Sequence, residues 1–534
     1  MVNERGVLSS NSDSNLFHEV SGRCFFRPAG TVSFLTLLSR LLGYARDVVV
    51  AHFFGASMAA DAFYAAAAIP NLVRKLYAEG SLTDSFIPVY SGMLAEGKHG
   101  EALDIAHKAF SVLVILLLGI SALGSALAPL IARAIAPGFM AHTEQYILTT
   151  DMLRIMLPYI FFIGLVALAR GILHSFQRFT APALAPALLN ICLILAAFLM
   201  APHLQRPVIA LAMGMLVGGV AQFALQVPSL WYVGIRIRFR LSLGNSALRR
   251  IAKGLIPTLL ASSICQINTV VGFLLASMLT DGSISCLYYA DRLVQMPIGF
   301  IAMPLAIVAF PFMAHQVRGE AATGIGETLE QSLRFMFFLI FPALTGLIIL
   351  RIPIFSLLFQ RGAFGHRETL LCADALLNYS WGLWAFAGLQ ILPRALYAAG
   401  DLWSPFKSGI LALGANLVLS LVLMSPMGHG GLALANSLAA VLYFSALLGP
   451  VVRKLHQPLI KKCARSMTRF LMASILMGIF VSRIASLGHW EQGLNTNNFL
   501  VLAGAMVAGL AGYLMMAIVA RFPEIKELGI QVGR

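Results

Sequence analysis

Charge is what this sequence has least of. Of its 534 residues only 11% are Asp, Glu, Lys or Arg, against 59% hydrophobic, and its mean hydropathy is +0.82. A water-soluble globule of this length has about a quarter of its residues charged, so that class is excluded and the bilayer must solvate most of the chain. Acid is scarcer still: 23 Asp and Glu stand against 38 Lys and Arg, a formal net charge of +15. In a soluble chain such an excess points to nucleic acid. Here the basic residues fall in short loops between apolar runs, the pattern by which positive charge sets membrane topology, and no nucleic-acid partner is expected. Cysteine is also sparse. The six at positions 24, 192, 265, 286, 372 and 463 have no paired spacing and are expected to be small buried hydrophobes, not disulfides or metal ligands. No metal-ligand spacing, P-loop or nucleophile motif occurs, and the loops between apolar runs are too short for a catalytic domain. A transporter is expected, not an enzyme, with no metal and no cofactor. The N-terminal segment to about Arg27 lacks the apolar core and cleavage site of a signal peptide and is expected as a cytoplasmic tail.

What the sequence has in abundance is long apolar runs. A hydrocarbon core takes about 20 apolar residues. That measure places about fourteen helices, near 31–54, 60–92, 107–135, 150–174, 183–201, 207–232, 254–279, 284–315, 333–358, 370–398, 406–426, 430–452, 467–487 and 498–520. The fold class is an all-α polytopic membrane protein. The loop 236–253 carries Arg236, Arg238, Arg240, Arg249, Arg250 and Lys253 without an acid, and 453–469 carries Arg453, Lys454, Lys461, Lys462, Arg465 and Arg469 likewise. Six spans separate the two loops, so they share a side, and the positive-inside rule makes it cytoplasmic. Both termini fall on that side. A weak internal repeat with a period of 220–225 residues aligns Phe63-Tyr64-Ala65-Ala66 with Leu287-Tyr288-Tyr289-Ala290, and Arg170-Gly171 with Arg394-Ala395. The expected organisation is a tail (1–28), an N-lobe of six helices (29–235), a basic linker (236–253), a pseudo-symmetric C-lobe of six helices (254–452), a basic loop (453–466), and a last helix pair with its C-terminal tail (467–534). Parallel repeats of this kind are common in transporters, with substrate bound between them.

The informative residues are ionisable ones inside apolar spans. Each costs at least about 2.5–3.5 kcal/mol at a helix centre and normally faces a cavity or a partner. The first span holds Arg40, Arg46 and Asp47 around Gly43. The second holds Asp61, then Pro70-Asn71-Leu72-Val73-Arg74-Lys75-Leu76-Tyr77-Ala78-Glu79-Gly80, and Pro70 with Gly80 predicts a break mid-membrane. Span eight holds Tyr288-Tyr289-Ala290-Asp291-Arg292. Arg46–Asp47, Lys75–Glu79 and Asp291–Arg292 can also pair among themselves, and for Lys75–Glu79, at i,i+4 spacing, pairing is the stronger reading. Arg40, Arg46, Arg74, Lys75 and Arg292 against Asp47, Asp61 and Asp291 predict a net positive cavity. Such a cavity suits an anion, above all a phosphate, which guanidinium binds bidentately. A cation-coupled drug exporter would place acids at that depth instead.

The same residues carry a resemblance. Ser39-Arg40-Leu41-Leu42-Gly43-Tyr44-Ala45-Arg46-Asp47, Phe54-Gly55-Ala56, Asp61-Ala62-Phe63, Ile69-Pro70-Asn71-Leu72 with Arg74, Ala78-Glu79-Gly80 and Phe86-Ile87-Pro88-Val89 closely resemble the opening of the MurJ/MviN family of lipid II flippases. So do Ala136-Pro137-Gly138-Phe139, Pro182 to Pro186 with Leu189-Asn190, and Tyr288 to Leu293; together they cover roughly residues 30–450. The resemblance implies the fold of the multidrug/oligosaccharidyl-lipid/polysaccharide exporters: two lobes about a cationic cavity that opens alternately to each side, and a last helix pair holding an isoprenoid tail. It implies Arg40, Arg46, Arg74, Arg292 and Asp61 as substrate-binding residues, with Asp47, Lys75 and Asp291 in supporting or ion-coupling roles. Gln295 and Ala68 stand where some members carry Glu and Lys. The implied function is export of lipid II, an undecaprenyl diphosphate-linked peptidoglycan precursor, across a bacterial cytoplasmic membrane for cell-wall synthesis. The alternatives are a flippase for another polyprenyl-linked glycan and a cation-coupled drug antiporter. The expected partners are lipid II, membrane lipids and other cell-wall synthesis proteins. The expected driving force is membrane potential, with the coupling ion open.

Overall fold

A backbone inside a bilayer has to satisfy its own N–H and C=O groups, and helices do so within one segment. In the computed structural model, which describes residues 11–236, 238–240, 246–318, 322–455 and 459–528, the described residues form helices and the turns between them, with one isolated bridge between Arg361 and Phe364. The helices are α1 (Asn11–Phe54), α2 (Met58–Val73), α3 (Leu82–Ala95), α4 (His99–Ala126), α5 (Ala128–Ile135), α6 (Thr143–Met156), α7 (Tyr159–Ser175), α8 (Thr180–Leu199), α9 (Ile209–Tyr232) and α10 (Ser246–Ala276). They continue as α11 (Ser283–Pro297), α12 (Met303–Arg318), α13 (Ala322–Ile349), α14 (Arg351–Leu358), α15 (His366–Ser380), α16 (Leu383–Gly388), α17 (Leu392–Ala398), α18 (Trp403–Leu455), α19 (Leu459–Ala485) and α20 (Thr496–Val519).

Each expected span falls on helix, but nine helices among the described residues are long and apolar enough to cross a membrane by length and composition. One of these, α18, covers two expected spans, because Gly428 (φ 55°, ψ −133°) leaves the helical region and turns the chain. Two boundaries differ from those read in the sequence. Helix α1 begins at Asn11, inside the expected tail, and α10 begins at Ser246, so the second part of the basic linker is helical. Residues 1–10, 237, 241–245, 456–458 and 529–534, which belong to the expected tails, linker and basic loop, lie outside the described residues.

The mid-membrane break expected between Pro70 and Gly80 is a widening instead. Residues Arg74–Ser81 form a π-helix that joins α2 to α3 with αR backbone at both ends. A second π-helix, Ile298–Ala302, joins α11 to α12 directly after Pro297. A proline ring cannot accept the i→i−4 pattern, and a π-turn re-registers the ladder without interrupting it. The two π-segments begin 224 residues apart, at 74 and 298, so the weak sequence repeat is also a repeat of backbone defects.

The chain divides into two compact units. The first comprises residues up to Val49, Ile69–Ala128 and Asp151–Ser263; the second comprises Val50–Ala68, Pro129–Thr150 and Ile264 onward. Within the first, α8 and α9 pack at close range through Gly214 and Gly218, four apart. A Cβ added at either would come within 2.6 Å of Ala196 Cβ or 2.5 Å of Leu189 Cδ1, which is how small residues at i,i+4 bring membrane helices together. Arg46, Asn190 and Ser39 link α1 to α8.

In the second unit, one end gathers the turns that follow α1, α5, α10, α14 and α19. Ala363 N–H donates to His52 O at 2.8 Å, Gly138 N–H to Ser277 Oγ at 3.2 Å, and Gln360 Nε2 to Glu491 O at 2.6 Å. At its other end Lys454 meets Asp401 at 3.2 Å, and Arg334 on α13 meets Glu524 at 2.6 Å. The last pair, α19 and α20, packs on α13, where Tyr513 Oη donates to Phe338 O at 2.7 Å.

Candidate functional site

Each unit holds part of the set of ionisable residues picked out in the sequence. In the first unit, Arg46 wraps back on its neighbour: Nε and one terminal nitrogen donate to Asp47 Oδ1 at 3.0 and 2.6 Å. Its other terminal nitrogen donates to Asn190 Oδ1 on α8 at 3.2 Å, and Asn190 Nδ2 returns a bond to Ser39 O. Asp47 is buried at 1% exposure. A buried aspartate needs a cation or hydrogen-bond donors to offset its desolvation, and Arg46 supplies both here. Arg40 lies exposed on the same helix, 600° of rotation earlier and so about 120° away around the axis. Arg74 and Lys75 open the π-segment, where Arg74 Nε donates to Asn71 Oδ1 at 3.4 Å. Arg74 is half-buried and Lys75 exposed. The side chain of Glu79, its expected i,i+4 partner, lies outside the described set.

In the second unit the candidates sit on α11 and on the α2 segment packed against it. The N-terminus of α11 cannot cap itself, because its N-cap is Gly282, in the left-handed region at φ 86°. A side chain there would also drive a Cβ to 2.5 Å from Ala56 O. The cap comes from another helix. Asp61 Oδ2 accepts from Gly282 N at 2.7 Å, and Oδ1 accepts from Ser285 N at 2.7 Å and Ser285 Oγ at 2.6 Å. A carboxylate at a helix N-terminus satisfies orphan N–H groups and faces the positive end of the dipole. With both oxygens engaged and 2% exposure, Asp61 caps the start of α11.

One turn along, Tyr64 stacks on Tyr288 with ring centroids 4.1 Å apart, and the Arg292 guanidinium lies 5.7 Å from the Tyr288 centroid. Arg292 thus rests on an aromatic platform that holds its fork in one plane. Asp291 accepts from Gln295 Nε2 at 3.3 Å. Tyr289 turns inward, fully buried against Phe359 and Phe364, and donates to Gly55 O at 3.3 Å. Residues 61 and 285, and 64 and 288, are each 224 apart, so positions equivalent in the repeat meet one another. This is the mark of a local two-fold axis, on which a position faces its own copy.

Three polar residues that the sequence reading gave no role complete the arrangement: Asn190, Ser285 and the backbone of Gly282. Asn190 had a signal, an amide in an otherwise apolar helix. Ser285 and Gly282 had none, since their role depends on contact with residue 61.

The chain is similar to known proteins over most of its length. Residues 50–503 match the family described as lipid II flippase MurJ. A probable lipid II flippase MurJ of Vibrio cholerae is 32% identical over 505 residues, 93% of this chain and 96% of that protein. The lipid II flippase MurJ of Burkholderia cenocepacia is 34% identical over 438 residues, 81% of this chain and 85% of that protein. Among solved structures, a lipid II flippase MurJ in an inward closed conformation superposes with a TM-score of 0.77 at 26% identity, covering 92% of this chain and 98% of the other. An inward-facing multidrug transporter of the MATE family shares the fold at a TM-score of 0.58 and 16% identity. With the arginines of α1, the π-segment after α2 and α11 in place, and a match that spans far more than half its residues, this multi-pass membrane protein belongs to the MurJ family of lipid II flippases.

Proposed function

We propose that the chain moves lipid II from the inner to the outer leaflet of the bacterial cytoplasmic membrane by alternating access, upstream of the other cell-wall synthesis proteins that consume it. The observation that carries the reading is the set of guanidinium groups kept in apolar helices: Arg40, Arg46 and Arg74 in the first unit and Arg292 in the second. A guanidinium in an apolar helix is stabilised by an anion, which it binds bidentately, and the cargo's diphosphate is one. At an effective dielectric near 20, a charge pair at about 4 Å gains on the order of 4 kcal/mol before desolvation. Two of the acids counted against these arginines have partners of their own: Asp47 faces Arg46 and Asp61 faces the α11 N-terminus. Arg46 is thereby offset by Asp47, and the positive excess rests on Arg40, Arg74 and Arg292.

The basic loops are cytoplasmic in this reading, with both termini on that side, and the end of the second unit that gathers His52, Gly138, Ser277 and Ala363 faces outward. Membrane potential drives the cycle. Each elementary charge moved across 100 mV is worth about 2.3 kcal/mol, and an anionic head group moving outward gains that for each of its charges. Clamping the potential at zero with valinomycin and matched potassium, at a constant pH gradient, is expected to stop flipping; unchanged flipping would overturn this drive.

The function itself is tested by expressing the chain in a strain depleted of its own lipid II flippase and measuring lipid II accessible on the outer leaflet. Restored accessibility is expected. A protein that inserts normally and restores none refutes the reading and leaves another polyprenyl-linked glycan or a drug as cargo.

A further inference from the structure

The six cysteines were expected to be unrelated buried hydrophobes, yet two that lie 86 residues apart in the sequence meet. Cys286 is on the first turn of α11, directly after the Ser285 that Asp61 bonds, and Cys372 is on the second turn of α15. Their sulfurs are 2.8 Å apart, and both side chains are buried at 1% and 0% exposure. Helices α11 and α15 pack together within the second unit, so the two thiols are held face to face by the packing of their helices and not by a flexible loop. Two sulfurs are half of a tetrahedral metal site, and among the described residues no group of three His, Cys, Asp or Glu completes one. The chemistry open to the pair is sulfur–sulfur bonding.

Both cysteines lie close to the end of the second unit where the turns gather. Cys286 follows Gly282 by four residues, and Cys372 follows Gly365 by seven. On the orientation proposed above, that end faces the oxidising compartment, where disulfides form and persist. We propose that Cys286 and Cys372 are a redox-active pair that closes to a disulfide, stapling the start of α11 to α15.

The step balances with a disulfide-bearing thiol oxidase of the outer compartment as oxidant. One cysteine thiolate attacks the oxidant's disulfide, forming a mixed disulfide and releasing one oxidant thiolate. The second cysteine attacks its partner's sulfur in that mixed disulfide. The Cys286–Cys372 bond forms, and the oxidant leaves as a dithiol carrying the two protons and two electrons. Access comes from fraying of the first turn of α11, since helix ends open at far lower cost than helix centres. Once closed, the bond holds that turn whether or not Asp61 caps it, so the staple and the cap are two restraints on one helix start.

The test uses the full-length chain with Cys24, Cys192, Cys265 and Cys463 changed to serine. The protein is purified in detergent, treated with diamide (which takes up two protons and two electrons to become a hydrazine), denatured, and reacted with a maleimide polymer that shifts the band once per thiol. Untreated reduced protein is expected to take two adducts. Diamide-treated protein is expected to take none until reductant restores both, while C286S and C372S each take one throughout. Closure is also expected to shift the midpoint of unfolding upward, and further upward in D61N than in the parent. Two adducts after diamide would overturn the pairing. Protein trapped with acid directly from cells is expected to take none before reduction; two adducts there, alongside closure in detergent, would overturn the cellular oxidation. Neither result bears on flipping, which the outer-leaflet assay reads separately.

Discussion

Replacing Asp61 by alanine strips three hydrogen bonds from the start of α11 at once. Two of the donors, Gly282 N and Ser285 N, are backbone groups at the start of α11, whose N-cap is Gly282. A buried donor left unmet costs about 1–3 kcal/mol, so the alanine variant is expected to lose about 2–6 kcal/mol. Asparagine is a finer probe. Its oxygen can still accept from Ser285, but its amide nitrogen then opposes the Gly282 N–H, and the charge facing the helix N-terminus is gone. A loss of about 2–4 kcal/mol follows from one forfeited bond to a charged acceptor and the dipole term. Ser285→Ala removes only the hydroxyl that donates to Asp61 at 2.6 Å and is expected to cost about 1–2 kcal/mol. The two changes share a partner, so in a double-mutant cycle they are expected to couple by about 0.5–3 kcal/mol. Unfolding in mixed micelles by titration with a denaturing detergent measures all four proteins. An Asp61→Asn protein of unchanged stability that no longer flips would refute the cap and place Asp61 among the cargo's ligands.

Arg40→Ala, Arg74→Ala and Arg292→Ala are each expected to abolish flipping while the protein still inserts, and Arg→Lys at the same sites to fail as well, since an ammonium cannot offer the planar fork; complementation with an immunoblot of membranes checks both. Single cysteines in place of Arg250 and Glu491, in a cysteine-free background, are expected to label oppositely with an impermeant thiol reagent, Glu491→Cys in intact cells and Arg250→Cys only after lysis. Asp401, between α17 and α18, accepts from Ser404 Oγ at 2.7 Å, from Ser404 N at 3.0 Å and from Trp403 N at 3.1 Å. Those Ser404 bonds, ahead of the nearby Lys454 ammonium, hold its carboxyl down at about 2 against an ordinary 3.8. A depressed pKa stabilises the folded state above the unfolded value, and the gain is lost as pH falls through the folded one. The stability gap between the parent and Asp401→Asn is therefore expected to be full above pH 4 and to close between about pH 4 and pH 2.

Hydropathy made the all-helical membrane class legible, because burying a backbone in lipid leaves a compositional trace in every span. Arginines in apolar runs were legible for the same reason: their cost singles them out. Less was legible about what each charge touches. Asp47 beside Arg46 could be foreseen as a pair, but Asn190, far along the chain, could not be joined to it by any spacing rule. An acid in an apolar helix marks Asp61 as a residue that must meet something, but its contacts with Gly282 and Ser285, more than 220 residues away, follow from no spacing rule. Pro70 correctly marked a backbone irregularity. Its form, a π-turn and not a break, depends on how the ladder recovers downstream. The cysteines carried no signal, since the distance between Cys286 and Cys372 is set by the packing of α11 on α15 and not by their spacing.

Asp61 and Ser285 occupy equivalent positions 224 residues apart and touch. In a symmetric pair of separate copies, one codon would fill both places. Two aspartates there would repel, and two serines would leave the Gly282 N–H without the carboxylate it now meets. Joined in one chain, the two places can differ, and the difference has a direction. Helix α2 is served from its own side, where Ala60 N–H donates to Ser57 Oγ at 3.4 Å, while α11, starting from a glycine, borrows its acceptor across the axis. The second repeat thus depends on the first for a proper helix start, and the first does not depend on the second in return. Splitting the chain into its two halves is a symmetric cut through an asymmetric debt: the first half keeps its own acceptor, and the second begins α11 with bare donors.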